Sequence, residues 1–431
     1  MKFRDCQLMK TNEKDTHQRI VPALRFPEFQ NCEGWICLRG GDVFKQISNK
    51  KHNADLPILA ISQEFGAIPR DAIDYKVIVS ESGLENYKVV EVGDFIISLR
   101  SFQGGIEYSN YKGICSPAYV ILRKKLNVEN QFFKHYFKSY AFIRDLNKNL
   151  EGIRDGKMVS YKQFSEILLP IPSTSNNKEQ QKIADCLSSI DSLIKATEDK
   201  IALLKAHKKG LMQQLFPAEG ETTPKLRFPE FQNCGSWCSY KLKDFGAFFR
   251  GLTYSTTDVS NDNKGMGVLR STNIQDNRLI LDRDIVFVNK TCSSEQQLKK
   301  GDIVICMSNG SKTLVGKNAE LDQDLSYVLT IGAFCSIFRP KNSFAKYLLQ
   351  TDSYTNFISL AIGGGNINNL KNSDLENFIL FAPIKRAEQQ KIADCLSSID
   401  SLIKATEDKV AHLKAHKRGL IQQLFPNIDK Y

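Results

Sequence analysis

Hydrophobic residues recur at alternating spacings of four and three over two long stretches of the chain, residues 179–217 and 388–426. This heptad spacing predicts two helices, each about 57 Å long at 1.5 Å per residue, with a continuous apolar seam along one side. The aliphatic seam residues are Ile183, Leu187, Ile190, Ile194, Ile201, Leu204, Leu211, Leu215, Ile392, Leu396, Ile399, Ile403, Val410, Leu413, Leu420 and Leu424.

The two predicted helices are nearly the same sequence. They differ only at Ile201/Val410, Leu203/His412, Lys209/Arg418 and Met212/Ile421. A shorter repeat, LRFPEFQNC, stands at 24–32 and 226–234, ahead of two segments that are unlike each other. Because nearly identical segments flank two different ones, the sequence suggests two equivalent docking surfaces, each attached to a domain with its own binding specificity.

Two long seams in one chain most simply pair with each other. The segment 218–383 is long enough to bring the chain back, so an antiparallel coiled coil is geometrically easy. Polar residues interrupt the seam at Thr197 and Lys208, and again at Thr406 and Lys417. Such residues cost stability and can set the register of a helix pair. The alternative is two independent helices, each packed on its own domain.

The two unlike segments share one predicted order of elements. In each, a Gly-Asp pair opens an apolar strand, at residues 93–98 and 301–306, and a polar loop containing glycine follows. Helical patterns come next, near 131–150 and 344–361, and each segment closes with a loop, a short strand and a proline. We therefore predict an α/β (α+β) fold class, with two α/β domains in tandem joined by two long helices.

Composition is that of an ordinary globular protein, with 42% hydrophobic and 25% charged residues in 431. The formal charge of +11 favours a polyanionic partner such as nucleic acid. No run of 18 apolar residues and no apolar signal segment are present, and the spacing of the 11 cysteines matches no paired zinc motif. We expect reduced thiols, no bound metal and a cytoplasmic location.

The sequence contains no recognisable catalytic motif. Gly316-Lys317-Asn318 fails the last position of a phosphate-binding loop, and no methyltransferase tetrapeptide, Gly-rich dinucleotide loop, H-E-x-x-H or G-x-S-x-G is found. Asp94 and Asp302 could be active-site carboxylates, but a structural role beside a Gly turn is the simpler interpretation. The pattern favours a binding module over an enzyme.

Polar side chains suited to reading bases cluster in the predicted loops, because arginine pairs with guanine, and asparagine or glutamine with adenine. A solvated surface role is the alternative for any one of them. The first segment offers Lys50, Lys51, His52, Ser62, Gln63, Arg100, Gln103, Arg154 and Lys157, and the second offers Arg270, Asn273, Gln275, Asn277, Arg278, Ser308, Asn309, Lys312, Asn366 and Asn368.

Nearly the whole chain resembles the specificity subunit of a type I restriction–modification enzyme. The resemblance rests on LRFPEF followed by Trp35 or Trp237, on the helix EQQKIADCLSSIDSLI, and on the helix ends GLMQQLFP and GLIQQLFP. PILAISQEFGAIPRD at 57–71 and VLRSTNIQDNRLILD at 268–282 resemble two different groups of target-recognition domains. The closing loops at 152–164 and 363–375 differ from each other, so DNA contacts cannot be transferred between them.

The resemblance implies that each target-recognition domain reads one half of a bipartite double-stranded DNA target. The helices would space the halves and dock two modification (methyltransferase) subunits, and restriction (translocase/nuclease) subunits would complete the complex. S-adenosylmethionine, ATP and Mg would belong to those partners, with no cofactor in this chain. The alternatives are a coiled-coil scaffold joining two protein-binding domains, and a single-chain nuclease or methyltransferase.

The expected domain boundaries follow from the repeats and the resemblance together. They are an N-terminal tail 1–23, a first target-recognition domain 24–173, a central helix 174–217, a linker 218–225, a second target-recognition domain 226–383, a C-terminal helix 384–426 and a tail 427–431.

Overall fold

The structure, a computed structural model, describes residues 20–52, 55–72, 83–148, 159–173, 177–260, 262, 264–363 and 369–428. The chain divides into two compact units. Unit 1 comprises Met1–Asp199 with Glu407–Tyr431, and unit 2 comprises Lys200–Thr406. Both division points fall inside the long helices, so each long helix contributes one part to each unit.

Unit 1 is an α/β unit built around an antiparallel sheet of order β2-β9-β6-β7. Its strands are β1 (Ile36–Arg39), β2 (Phe44–Ile47), β3 (Leu59–Ser62), β4 (Gly66–Pro69), β5 (Lys88–Val90), β6 (Phe95–Ile97), β7 (Glu107–Tyr108), β8 (Gly113–Cys115), β9 (Val120–Lys124) and β10 (Leu168–Ile171). Its short helices are α1 (Gly40–Val43), α2 (Ser101–Gly104), α3 (Asn130–Tyr136), α4 (Tyr140–Lys148) and α5 (Tyr161–Glu166), with 3-10 turns at Pro27–Phe29, Arg70–Ala72 and Leu84–Asn86.

The long helix α6 (Lys178–Leu215) follows, and unit 2 then builds a six-stranded sheet of order β12-β20-β17-β18-β15-β14 and a three-stranded sheet of order β16-β13-β19. The strands are β11 (Cys238–Lys241), β12 (Gly246–Arg250), β13 (Met266–Leu269), β14 (Ile274–Gln275), β15 (Arg278–Leu279), β16 (Val286–Val288), β17 (Ile303–Cys306), β18 (Asn318–Glu320), β19 (Leu329–Ile331), β20 (Cys335–Pro340) and β21 (Ile379–Ala382). The helices are α7 (Ala345–Leu348), α8 (Asp352–Gly363), α9 (Asn372–Glu376) and the long α10 (Arg386–Leu424), with 3-10 turns at Pro229–Phe231, Leu242–Asp244, Thr256–Asp258, Ser271–Asn273 and Lys312–Leu314.

Both units repeat one plan despite their different sequences. The sheet order β2-β9-β6-β7 returns as β12-β20-β17-β18, and the antiparallel pair β1–β10 returns as β11–β21. Unit 2 extends its sheet by the hairpin of β14 and β15. The predicted α/β class with two tandem domains is confirmed.

Asp94 and Asp302 occupy equivalent turns before the central buried strands β6 and β17. Arg123 donates two hydrogen bonds of 2.7 Å to Asp94, and Arg339 donates two of 2.8 and 2.7 Å to Asp302. Each carboxylate also accepts a backbone N–H from three residues earlier. Because their oxygens are bound in this way, these aspartates close the turns that begin the strands.

The long helices pack antiparallel within each unit. In unit 1, Lys417 contacts Asp191 at 2.5 Å and Lys414 contacts Glu198 at 2.7 Å, so rising positions on α6 meet falling positions on α10. In unit 2, Lys208 contacts Asp400 at 2.7 Å. The predicted antiparallel coiled coil is confirmed.

The seam lies on the covered side of both helices. All sixteen predicted aliphatic positions are buried or half-buried. Ile183 and Leu187 join Leu424 and Phe425 in the core of unit 1, and Leu215 joins Ile392 and Leu396 in the core of unit 2. The polar seam residues are satisfied locally: the Thr197 hydroxyl donates to the carbonyl of Leu193 at 2.6 Å, and Lys208 and Lys417 form the ion pairs just described.

The LRFPEFQNC repeat holds the start of each long helix through one buried carboxylate. Arg25 donates two hydrogen bonds of 2.7 Å to Glu179, and the Trp35 indole donates a third of 3.1 Å. The hydrogen bond with Glu179 raises the pKa of Arg25. Arg227 and Trp237 bind Glu388 in the same manner.

Each copy of the short repeat also reaches the end of the other long helix. The backbone N–H of Leu24 donates to the carbonyl of Gln423, and that of Leu226 donates to the carbonyl of Gln214. We call the two LRFPEFQNC copies and the helices α6 and α10 the repeated frame. Identical sequence in this frame thus makes equivalent contacts at the starts and ends of the long helices in both units.

Within the described residues, no helix combines the length and apolarity needed to cross a membrane.

Candidate nucleic-acid interface

In each unit, the polar loop after the central buried strand meets a second polar segment. In unit 1 the loop 98–104 follows β6 and meets the hairpin turn 62–66; we call these loop pair 1. In unit 2 the loop 307–312 follows β17 and meets the segment 270–273 after β13; we call these loop pair 2. Ile58, directly before β3, forms a parallel bridge with Ile114 of β8, and β13 pairs in parallel with β19. Since β8 and β19 directly precede the equivalent strands β9 and β20, the two loop pairs follow strands at comparable places in the shared plan.

A direct hydrogen bond joins the two halves of loop pair 1. The amide of Gln63 donates to the carbonyl of Arg100 at 2.8 Å. The Ser101 hydroxyl accepts the backbone N–H of Ser98 at 2.8 Å and fixes the start of α2. The side chains of Gln63, Arg100 and Gln103 are exposed. The structure therefore brings these three predicted site residues onto one surface.

Arg70 adds a cation that the sequence reasoning did not single out. Burial raises the pKa of Tyr119, while the positive charges of Arg70 and Arg100 oppose that rise, so both guanidinium groups lie within electrostatic range of one phenol. Arg70 lies in the segment PILAISQEFGAIPRD, which the sequence comparison had already set apart. Nothing in the sequence indicated that Arg70, the second-last residue of this segment, and Arg100 act on the same phenol.

Lys50, Lys51 and His52 lie on a different stretch of unit 1. The Lys50 ammonium donates to Asn86 at 3.4 Å, the backbone N–H of Lys51 donates to Asn49, and the His52 ring contacts the carbonyl of Tyr87 at 3.2 Å. The two lysines are exposed and the histidine is half-buried. Arg154 and Lys157 fall outside the described residues.

Loop pair 2 is joined by the Asn309 side chain. Its amide donates to the Ser271 hydroxyl at 3.2 Å, and its oxygen accepts the backbone N–H of Ser311 at 3.0 Å. Arg270 and Lys312 are exposed on either side. The backbone of Ser308 forms an isolated antiparallel β-bridge with that of Asn369. Asn366 and Asn368 belong to residues 364–368, which lie outside the described residues.

A two-residue hairpin presents a second group of predicted residues at the edge of the six-stranded sheet. Asp276 and Asn277 both have positive φ, 48° and 59°, as a type I′ turn between β14 and β15 requires. Gln275, Asn277 and Arg278 are exposed there. The turn type explains why residues tolerant of left-handed backbone stand at its two central positions.

Asn273 differs from the other predicted contacts because it is only 1% exposed. Its oxygen accepts the backbone N–H of Arg270 at 2.9 Å, and its amide donates to the carbonyls of Ile280 and Arg283 at 3.0 Å. These bonds hold the segment after β13 in place and leave no side-chain hydrogen free for a ligand. We leave Asn273 out of the proposed interface.

The two long helices place the same pair of residues, a serine and an aspartate, against both units, but each unit brings a different side chain to this pair. In unit 1 the His135 ring contacts the Ser188 hydroxyl at 3.1 Å and lies 3.9 Å from Asp191. In unit 2 the Tyr347 hydroxyl lies 3.0 Å from both Ser397 and Asp400, the counterparts of those two residues. Identical helices thus accommodate unlike domains through a hydrogen-bonding side chain at one place.

We expect His135 to make unit 1 sensitive to acid. Burial, with Lys417 and Lys134 nearby, lowers the pKa of His135 to about 3, although Asp191 is also close. The folded pKa is below the unfolded value of about 6.5, so stability present above pH 6.5 is lost as pH falls toward 3. Between pH 7 and 5 the wild-type chain should lose about 2 kcal/mol more than His135→Gln. Urea unfolding at both pH values measures this, with the exposed His207→Gln as control; equal losses in all three chains would contradict it.

The described residues give no sign of a resident metal site. No group of three or more His, Cys, Asp or Glu side chains in that part of the chain is arranged to hold a metal ion. Burial raises the pKa values of the Cys115 and Cys335 thiols to about 12, so these cysteines are packed as neutral side chains.

The family described as type I restriction modification DNA specificity domain matches the chain twice, over residues 34–206 and 235–415. The specificity subunit of the type I restriction enzyme MjaVIII from Methanocaldococcus jannaschii is 26% identical, with 95% of each chain covered. The EcoKI specificity subunit of Escherichia coli K12 is 33% identical over 40% of this chain and 38% of its own. The crystal structure of a type I restriction-modification S subunit from M. genitalium shares the fold, with a TM-score of 0.52, 14% identity, and coverage of 95% of this chain and 100% of that one.

The chain therefore belongs to the type I restriction-modification specificity subunits, and it carries two specificity domains in tandem. The resemblance seen in the sequence is confirmed.

Proposed function

We propose that loop pair 1 and loop pair 2 each read one half of a bipartite double-stranded DNA target, unit 1 through the first and unit 2 through the second. The observation that supports this proposal is that two polar loops contact each other at equivalent places in both units. Loop pair 1 exposes Arg100 beside the amides of Gln63 and Gln103, and loop pair 2 exposes Arg270 beside the half-buried amide of Asn309. Arginine and amide side chains are the groups that pair with guanine and adenine edges in the major groove. The loops differ in sequence, so the two halves of the target would differ as well.

Phosphate contacts would supply most of the affinity, and base contacts the specificity. Lys50 and Lys51 are exposed near the start of unit 1, and Lys312 is exposed in loop pair 2. The net charge of +11 agrees with a polyanionic partner. A coiled-coil scaffold without DNA affinity would show no salt-dependent binding to a duplex.

Single-residue variants should relax one half of the target at a time. Arg100→Ala should cost about 1–3 kcal/mol of discrimination at one base pair of the half read by unit 1, and Arg270→Ala should do the same in the other half. Methylation mapping of DNA modified by the assembled complex measures both. Arg39→Ala and Arg386→Ala remove the same charge from exposed positions outside the loop pairs and should leave the target unchanged. Simultaneous relaxation of both halves by one variant would contradict independent reading.

The repeated frame is proposed to dock two identical modification subunits, with restriction subunits completing the complex. Outward-facing residues of α6 and α10 are matched as closely as the seam, including Lys195/Lys404 and Lys200/Lys409, which are exposed. Packing alone would tolerate substitutions at such positions. Methyl transfer and cleavage, with S-adenosylmethionine, ATP and Mg, are assigned to these partners, and the chain itself is proposed to be non-catalytic.

Native mass measurement should find two modification subunits for each copy of this chain. The reason is that the repeated frame contains two copies of the same sequence and therefore presents the same surface twice. The measurement is made over a titration with excess modification subunit. A complex that saturates with a single modification subunit would contradict equivalent docking surfaces.

A further inference from the structure

Two phenylalanine side chains are left largely in water beside the proposed DNA surfaces. Phe65 is 57% exposed in the hairpin turn of loop pair 1, and Phe334 is 69% exposed in the turn between β19 and β20. Leaving an aromatic ring in water forgoes the favourable burial that such side chains normally achieve. The two turns differ in the shared plan, since Phe65 follows β3 and Phe334 precedes β20, but each turn is bonded to the loop after the central buried strand of its unit.

The backbone that carries Phe65 is held firmly. The Ser62 hydroxyl accepts the backbone N–H groups of Glu64 at 3.2 Å and Phe65 at 3.4 Å. Gly66 follows with a φ of +74°, which permits the tight return into β4. Gln63, two positions before Phe65, is tied to Arg100. The ring therefore projects from a fixed turn that belongs to the reading surface.

Phe334 is tied to loop pair 2 through its backbone. Its carbonyl accepts the N–H groups of Met307 at 2.8 Å and Ser308 at 3.2 Å, the first two residues of the loop after β17. The next residue, Cys335, donates to the carbonyl of Gly332 and closes the turn. The backbone that carries this exposed ring is thus fixed beside Met307 and Ser308, where the loop leading to Asn309 begins.

We propose that Phe65 and Phe334 each pack on the 5-methyl group of a thymine in the major groove. This inference rests on the proposed reading of DNA by the loop pairs. Their neighbours Arg100, Gln63 and Asn309 carry groups that pair with base edges in the major groove, where the thymine methyl is the apolar feature available for contact. An aromatic ring beside such donors adds selection for thymine, which hydrogen bonds to the other base edges do not supply.

The test uses the complete chain assembled with its modification subunits. Methylation mapping first defines the bipartite target, and the proposal requires at least one thymine in each half. Duplexes are then prepared with deoxyuridine in place of each thymine in turn, which removes only the methyl group. For the wild-type complex, one such replacement in the half read by unit 1 should weaken binding about tenfold, and one in the other half should do likewise.

Phe65→Ala should weaken binding to the normal duplex by a similar factor and abolish the effect of deoxyuridine in its own half only. Phe334→Ala should do the same in the other half, and Phe65→Leu should retain part of the methyl sensitivity. Val92→Ala is the control, because Val92 is 62% exposed in the turn before β6, at the opposite end of that strand from the loop 98–104. Thermal unfolding of every variant should match the wild type, since an exposed ring contributes little to folding.

Several outcomes would overturn the proposal while leaving DNA reading intact. One is a wild-type complex that binds its target but is insensitive to every deoxyuridine replacement. Another is a Phe65→Ala variant that keeps full affinity and full methyl sensitivity. A third is a variant that loses modification subunits but binds DNA normally, which would make the ring a protein contact. Failure of the wild-type complex to bind any bipartite sequence would instead refute the proposed function itself.

Discussion

Replacement of Glu179 by alanine is expected to lower the free energy of unfolding by about 3–5 kcal/mol, because it leaves a buried guanidinium without its partner. The Glu179 side chain is 0% exposed and that of Arg25 is 5% exposed. The substitution also removes the acceptor of the Trp35 indole. Urea or guanidinium unfolding of the purified chain measures the loss.

The repeated frame provides matched controls for this substitution. Glu388→Ala breaks the equivalent contact with Arg227, whose side chain is 12% exposed, and should cost nearly as much. Glu198→Ala removes an ion pair with Lys414 in which both side chains are over 40% exposed, and should cost at most about 1 kcal/mol. If Glu179→Ala were no more costly than Glu198→Ala, the buried carboxylate would not hold the frame together.

Lengthening both long helices by one heptad is expected to lengthen the DNA spacer between the half-sites by about three base pairs. Seven residues add about 10 Å of helix at 1.5 Å per residue, and duplex DNA advances 3.4 Å per base pair. A whole heptad preserves the seam. Insertions after Ala196 and after Ala405 fall at corresponding positions of α6 and α10. Methylation mapping of the modified complex gives the new spacer.

The bases recognised at the two half-sites should stay the same in this variant, because neither loop pair is altered. A control chain with the insertion after Ala196 alone should modify DNA poorly, since its two seams no longer match in length. If the chain with both insertions modified the original spacing, the helices would serve only to dock partner subunits, and the expectation that they space the two half-sites would be wrong.

The helix boundaries within the domains show where local sequence patterns mislead. A continuous helical pattern near residues 131–150 becomes α3 and α4, and the pattern near 344–361 becomes α7 and α8. The Ser139 hydroxyl accepts the backbone N–H of Phe142, and the Thr351 hydroxyl accepts that of Tyr354. Each hydroxyl caps the start of a second helix, so the pattern is split into two helices instead of one. The spacing of apolar residues does not reveal such a cap.

In the candidate interface, too, the sequence indicated some side chains correctly and others not. Sequence reasoning placed Asn273 and Arg270 together as base readers, yet only Arg270 is exposed. It passed over Arg70, Phe65 and Phe334. Residue type indicates what a side chain could bind, but burial and the approach of loops distant in sequence decide whether it is free to do so.

The sequence by itself determined the duplication, the two heptad seams and the family, because these depend on periodicity and identity along the chain. It favoured antiparallel pairing of the seams, and the contacts between the helices decided this against two independently packed helices. Only the tertiary structure decided that the arginines of the LRFPEFQNC repeat bind Glu179 and Glu388, that Gln63 meets Arg100, and that Ser271 meets Asn309. These contacts join residues between 37 and 161 positions apart. No spacing rule links such positions, because their proximity is set by how strands pair and pack.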